Sequence, residues 1–572
     1  MDRVPPPRLD AASARWASAD AFRQASWILL LVLLGLSAGR IASVTSDDKE
    51  TPFLSANDRS RWNAMAALLE DGTFAIDRFN EIRSENGRSR TWYSIDMVRH
   101  RDASGEEHYY SSKPPLLTVL YAAAMAPVTW VTGQNLTDNP KLVGRLTIGL
   151  INLLPILVFW LWSRRLAARV ESRSESSWAG WVLLTTGFFA TFLTTFVVTL
   201  NNHLHAAILL AVSLSLAGRL LRRRYGGDED EEAALDADDS RPPRGAWAMF
   251  WLGIVSGAMV MCELPALAWA GVLPLALWDR RSWLRDWASY AAGLFPVLAA
   301  ILLMNWYAHG DWRPPYYHRE ALGELLANSP AAAAVPPQTA TEGEFDAVAA
   351  DLDRPELKAT LGVAGEFEVE AARRADTLRL LAFDAARPEL QRQFAIVREG
   401  NQWSVYQWND WYDYPKSYWL PGNKKGVDLG EPSPVAYAFH SLIGHHGIFS
   451  LSPIFLLIFP GCYFALRGIE TDRRIAIAVA VVSLVAIAFY LSRPQIDRNY
   501  GGVSSGFRWQ FWLIPGWLWL ISRYLDGERP SLRSPAVRRC VELLLIVSVF
   551  SAWYPVSRPW VHPWLFQWFG NP

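Results

Sequence analysis

The sequence predicts a polytopic α-helical membrane protein of about eleven spans with a small α+β extracytoplasmic domain. Three observations carry this. Apolar runs long enough to cross a bilayer core recur along the chain. Arginines gather after every second run, the mark of a cytoplasmic face. Two long polar stretches, 45–115 and 307–446, interrupt the apolar pattern and must lie outside hydrocarbon. Of 572 residues, 51% are hydrophobic and 29 are Trp, whereas 19% are charged. The net charge of -1 excludes nucleic acid as an electrostatic partner. Cys262, Cys462 and Cys540 fall in or beside apolar runs, and no Cys spacing suggests a disulfide framework or a metal knuckle.

Taken in order, residues 1–25 form an arginine-bearing cytoplasmic tail ahead of the apolar run Ser26 to Val44. A cleaved signal peptide is the alternative; the weak cleavage pattern and the further spans speak against it. An uncleaved run carries the chain outward and leaves Ser55 to Leu117 outside. In that loop, Trp62, Met65, Ala66 and Leu69 share one helical face, so a short surface helix spans Asp58 to Glu70. Asn57 or Asp58 caps it, and Gly72 ends it. Pro114-Pro115 stops any preceding helix.

Arginines then fix the direction of each run. Arg164, Arg165, Arg169 and Arg173 make the end of Arg145 to Trp162 cytoplasmic, so Leu116 to Val131 begins and ends outside as an interfacial segment. Trp178 to Val198 goes out, and Leu204 to Leu220 returns to an arginine cluster and the acidic run Asp228 to Glu232. Ala246 to Met261, Pro265 to Trp278 and Trp287 to Trp306 continue the alternation and close a membrane module at 26–306. The domain 307–446 follows. Within it, Ser329 to Glu342 reads as a linker, Glu344 to Leu361 and Phe367 to Arg392 as helical or mixed, and Trp403 to Trp419 as a strand-like aromatic hairpin. Residues 447–572 supply the last four spans, from Ile448, Ile475, Phe511 and Val541, and an external Trp-rich tail. All ten histidines fall outside or at outer span ends in this topology.

Asp58, the segment Leu69-Glu70-Asp71-Gly72-Thr73-Phe74 and the motif Lys113-Pro114-Pro115-Leu116 occur in this order in the first loop. In these motifs, up to about Gly310, the chain resembles the GT-C glycosyltransferases, in particular the branch of lipid A aminoarabinose transferase and the protein O-mannosyltransferases. One departure is Arg59, where that family often has a second acid. The resemblance implies a GT-C-like module with a catalytic first external loop. It implies transfer of a sugar from a polyprenyl-phosphate-linked donor to a lipid, glycan or protein acceptor. The reaction would take place at the extracytoplasmic face of the bacterial inner membrane, with the N-terminus cytoplasmic. No cofactor is certain; a divalent metal is one option. Membrane lipids and an unidentified acceptor complete the partners.

The reaction needs a base near the attacking hydroxyl and positive charge near the leaving phosphate. Asp58 is the base candidate, or simply a helix cap. Lys113 is the donor-phosphate candidate, or a snorkelling interfacial lysine. Arg59 and Arg61 are further candidates. Arg498 and Arg508, in the Gly-rich outer loop with Tyr500, suit a phosphate or a flexible interfacial loop. Asn202, His203 and His205 make a short outer turn suited to a sugar, a phosphate or a metal, or to a hydrated helix start. Glu263 sits in an apolar stretch and is functional by default, or paired with an arginine such as Arg145. The aromatic run from Trp403 to Trp419 either stacks on sugars or anchors the domain to the membrane. A transporter or flippase would place charges at span midpoints and repeat its hydropathy, and neither is visible. A non-catalytic envelope assembly protein would make Asp58 and Lys113 dispensable.

Overall fold

A computed structural model describes residues 11–225 except 88–89 and 175, then 245–329, 353–361, 365, 367–374, 377–384 and 394–399, and finally 402–570 except 415, 421 and 528. The acidic run Asp228 to Glu232 and most of the expected linker, 330–342, lie outside the described residues.

The chain is mainly a bundle of apolar helices. Among the described residues, eight helices are long and apolar enough to cross a membrane: Asp20–Ser43, Pro115–Thr132, Pro140–Ser172, Trp178–Val198, Asn202–Tyr225, Gly245–Cys262, Trp283–His309 and Glu470–Leu491. Shorter apolar helices cover Leu264–Ala276 and Pro453–Leu466, and Ile514–Leu525 and Pro535–Trp553 add two more. Every predicted run therefore forms a helix, although four are shorter or less apolar than a full crossing requires. Pro115–Thr132 matches a span in length. After it, Thr137 bonds Glu70 of the first loop, and Arg145 donates to the Val44 carbonyl just past the first long helix.

The helix ends sort onto two opposite faces. On one, Arg164 bonds Ser26, Arg173 pairs with Asp526, Arg224 with Asp286, Arg523 with Asp472, and Arg474 reaches the Trp278 carbonyl. These are the arginine-rich ends. The first loop, the turns near Asn202 and Glu263, and the sheet domain occupy the other. Close helix approach depends on glycine at one pair of positions. A Cβ on Gly253 would lie 2.1 Å from the Tyr290 carbonyl oxygen, and one on Gly293 would lie 2.1 Å from that of Phe250. The Gly245–Cys262 and Trp283–His309 helices thus touch backbone to backbone.

The first-loop helix runs Ala56–Ala66 and continues as a π-helical turn, Ala67–Asp71, to Gly72 at φ 68°. Its cap is Ser55, whose hydroxyl accepts from the Asp58 N–H, and not Asn57 or Asp58. A hairpin follows, β1 (Met97–Arg101) against β2 (Glu107–Ser111).

The external domain is built on an antiparallel sheet of β3 (Leu322–Ser329), β4 (Phe367–Arg374), β5 (Thr377–Asp384), β6 (Phe394–Glu399) and β7 (Gln402–Trp408), in the order β3-β7-β6-β5-β4. This corrects the helical part of the reading for 367–374 and 377–384; the rest of Phe367 to Arg392 lies outside the described residues. Alternation such as Leu378, Leu380 and Ala382 is a period of two, and neighbouring strands decide it. The stretch from Trp403 is not a hairpin either: β7 pairs with β3 and β6, and the chain turns away after Trp408. Trp411 stacks on His318 at 3.5 Å and leans on His100 at 4.3 Å, and the Trp419 indole donates to the Ile95 carbonyl. They fasten the domain to the first loop.

Candidate active site

The first loop, two inter-helix turns and the last polar loop meet at the non-arginine end of the bundle. Arg61, one turn into the loop helix, is fully buried. Its Nη2 donates to Asn202 Oδ1 at 2.6 Å, while Nε and Nη1 are buried without a partner. Asn202 passes the connection on, donating from Nδ2 to the Cys262 carbonyl and to Glu263 Oε1. Glu263 Oε1 also lies against Nδ1 of His203. Arg508 donates from Nη1 to His203 Nε2 at 2.9 Å, and from Nε to the Gly501 carbonyl. Its guanidinium rests 5.1 Å from the Trp560 ring. Lys113 completes the group with a 2.9 Å ion pair to Asp96. Burial lowers the Lys113 pKa; Asp96 opposes that shift, and the charges of Arg61 and Arg508 add to it. Three cations thus share one buried volume, offset among the described residues by Asp96 and Glu263.

Local sequence explains the placement. Arg61 follows the Ser55 cap at helical spacing that turns it toward Asn202. Pro114-Pro115 begins the next helix and leaves Lys113 in the bend just before it. Asn202 starts one long helix, and Glu263 interrupts two others at a 3-10 turn. Gly501 and Gly502, at φ 92° and 77°, let the loop fold back over Arg508.

The other expected residues fall elsewhere. Asp58 is fully buried, with Oδ2 accepting from the Leu54 N–H and Oδ1 from the Leu200 N–H. It clamps the start of the loop helix to the outer turn, and neither oxygen is open to a hydroxyl in this conformation. Burial raises its pKa to about 6 against those hydrogen bonds. Arg59 donates to the Tyr93 carbonyl and stands on the far side of the helix from Arg61. His205 is consumed by the Tyr121 hydroxyl, the Asn201 carbonyl and the Ile151 carbonyl. Arg498 is bonded to the carbonyls of Arg493, Glu431 and Pro432, so it ties the loop down and does not join Arg508. Tyr500 stacks on His446 at 4.6 Å and donates to Glu431. Glu263 pairs with His203, and Arg145, its expected structural partner, is bound to Val44.

Among the described residues no three His, Cys, Asp or Glu side chains gather to hold a divalent metal. The carboxylates present each face a cation or a backbone N–H, and the unpaired polar atoms of Arg61 are donors, which favour an anion. Sequence reasoning missed Asp96, because a single acid in a polar loop carries no pattern. The chemistry of the ring was visible only as separate short turns.

Two archaeal oligosaccharyltransferase structures are similar to this chain. One is the apo enzyme of Archaeoglobus fulgidus, with 11% identity and a TM-score of 0.40 over 95% of this chain. The other is AglB from the same organism in complex with an inhibitory peptide and a dolichol-phosphate, with 12% identity and a TM-score of 0.39 over 94% of this chain. The chain spans 56% of the length of each. No family model and no curated protein matches the sequence. The chemistry has to be read from the side chains.

Proposed function

We propose that the protein is a membrane glycosyltransferase that takes a sugar from a polyprenyl-phosphate donor and passes it to an acceptor at the extracytoplasmic face. The observation that carries this is the convergence of Arg61, Lys113 and Arg508 at one end of an apolar bundle, with two Arg61 nitrogens unpaired. A buried donor left without an acceptor costs about 1–3 kcal/mol, more when charged, so the arrangement favours an anion that fills the gap. A phosphate carried on a lipid is an anion that reaches this depth from the bilayer side. Positive charge there stabilises the phosphate as the bond to the sugar breaks. The arginine-rich opposite face supports a cytoplasmic location for that end, hence an extracytoplasmic site in a bacterial inner membrane.

The test uses the full chain in lipid nanodiscs with a panel of polyprenyl-phosphate sugars and hydroxyl-bearing acceptors. Release of polyprenyl phosphate together with a glycosylated acceptor supports the reading. Movement of intact donor between leaflets without bond cleavage would establish a flippase instead.

A further inference from the structure

We propose that the general base of this site is His203, oriented by Glu263 and uncovered when Arg508 turns to the donor phosphate. The inference rests on the glycosyltransferase reading above. Asp58, the carboxylate that the sequence suggests, has both oxygens engaged by backbone N–H groups and no exposed surface. His203 is differently placed. Its Nδ1 lies against the Glu263 carboxylate, an acceptor that favours the tautomer with the proton on Nδ1. Its Nε2 is then a lone-pair acceptor, and among the described residues its hydrogen-bond donor is Arg508 Nη1. The same arginine is one of the three phosphate-binding cations. Engaging the phosphate therefore exposes the imidazole, and a resting site without donor keeps it masked. Asn202 joins the halves, because it bonds both Glu263 and Arg61.

The step balances as follows. The acceptor O–H gives its proton to His203 Nε2. The acceptor oxygen forms a bond to the anomeric carbon, and the bond from that carbon to the phosphate oxygen breaks. The electron pair leaves with polyprenyl phosphate, where Arg61, Lys113 and Arg508 face the new negative charge. The resulting imidazolium is stabilised by Glu263 until it releases its proton to water.

The experiment measures polyprenyl phosphate binding and turnover separately in the full-length protein in nanodiscs. His203→Gln keeps an acceptor for Arg508 and should leave polyprenyl phosphate affinity within about threefold, while turnover falls by about 100-fold or more. The acid limb of the pH–rate profile should vanish with it. Glu263→Gln, the second variant should His203→Gln fail to fold, should displace that limb, which a merely structural carboxylate would not do. Wild-type-like turnover in folded His203→Gln, or an unmoved pH profile in Glu263→Gln, overturns the base assignment while leaving the site's reading intact. Failure of the wild-type protein to bind polyprenyl phosphate overturns both.

Discussion

Replacing Arg61 with Met separates binding from folding more cleanly than any other change in the site. Arg61 makes one hydrogen bond within the protein, to Asn202, and holds Nε and Nη1 in reserve. Losing the Asn202 bond costs about 1 kcal/mol. Removing a buried cation beside Arg508 and Lys113 offsets that cost, so the thermal midpoint of the free protein should move by only a few degrees. Binding should respond very differently. Two charge-assisted bonds to a phosphate contribute about 3–6 kcal/mol together. At about 1.4 kcal/mol per decade, the loss is about 100-fold to 10,000-fold in affinity. The assay is titration of nanodisc-embedded protein with polyprenyl phosphate, read as thermal stabilisation and as competition against a labelled lipid phosphate. Arg61→Lys keeps the charge without the two-point geometry and should fall between. Two results would refute the reasoning. One is Arg61→Met binding within about threefold of wild type; the other is its unfolding where the wild type is stable, which would make Arg61 a structural residue.

Three further outcomes are expected. Asp58→Ala strands the Leu54 and Leu200 N–H groups and should cost about 2–6 kcal/mol, seen as a lower unfolding midpoint. Because burial raises the Asp58 pKa to about 6, its contribution to stability is greatest at low pH and is lost as pH rises from about 4 to about 6, a slope that Asp58→Asn should remove. His100 and His318 act in the opposite direction. Burial depresses both to about 4, so their neutral forms favour the folded state above about pH 6.5 and that stability is lost as pH falls toward 4. Acid should loosen the external domain from the first loop, with a ceiling of about 3 kcal/mol per histidine, and protease sensitivity between pH 7 and about 4.5 reports it. Gly253→Ala drives a methyl group into the Tyr290 carbonyl and should abolish stable expression or cost several kcal/mol in detergent.

The external domain shows where sequence reading stopped. Phe367 to Arg392 carries Ala, Glu, Arg and Leu, residues that favour helix, with only a short alternation to oppose them. Pairing with neighbouring strands outweighed that preference, as cross-strand contacts do. The aromatic run near Trp411 was recognisable as unusual, but its partners His100 and His318 are distant in the chain. Likewise Arg498 and Arg508 are indistinguishable by composition; one meets backbone carbonyls and the other meets His203.

What the sequence determined by itself is the class, a polytopic bundle of apolar helices with small sheets. Apolar length and arginine bias are local properties of a segment in its solvent, so each run could be read without knowing its neighbours. What only the tertiary structure decided is which polar groups face one another. Asp58 became a clamp, Arg61 gained unpaired donors, and Asn202, His203, Glu263 and Arg508 closed into one chain of contacts. Those roles depend on the distance between atoms contributed by four separate loops, and no spacing along the chain encodes that distance.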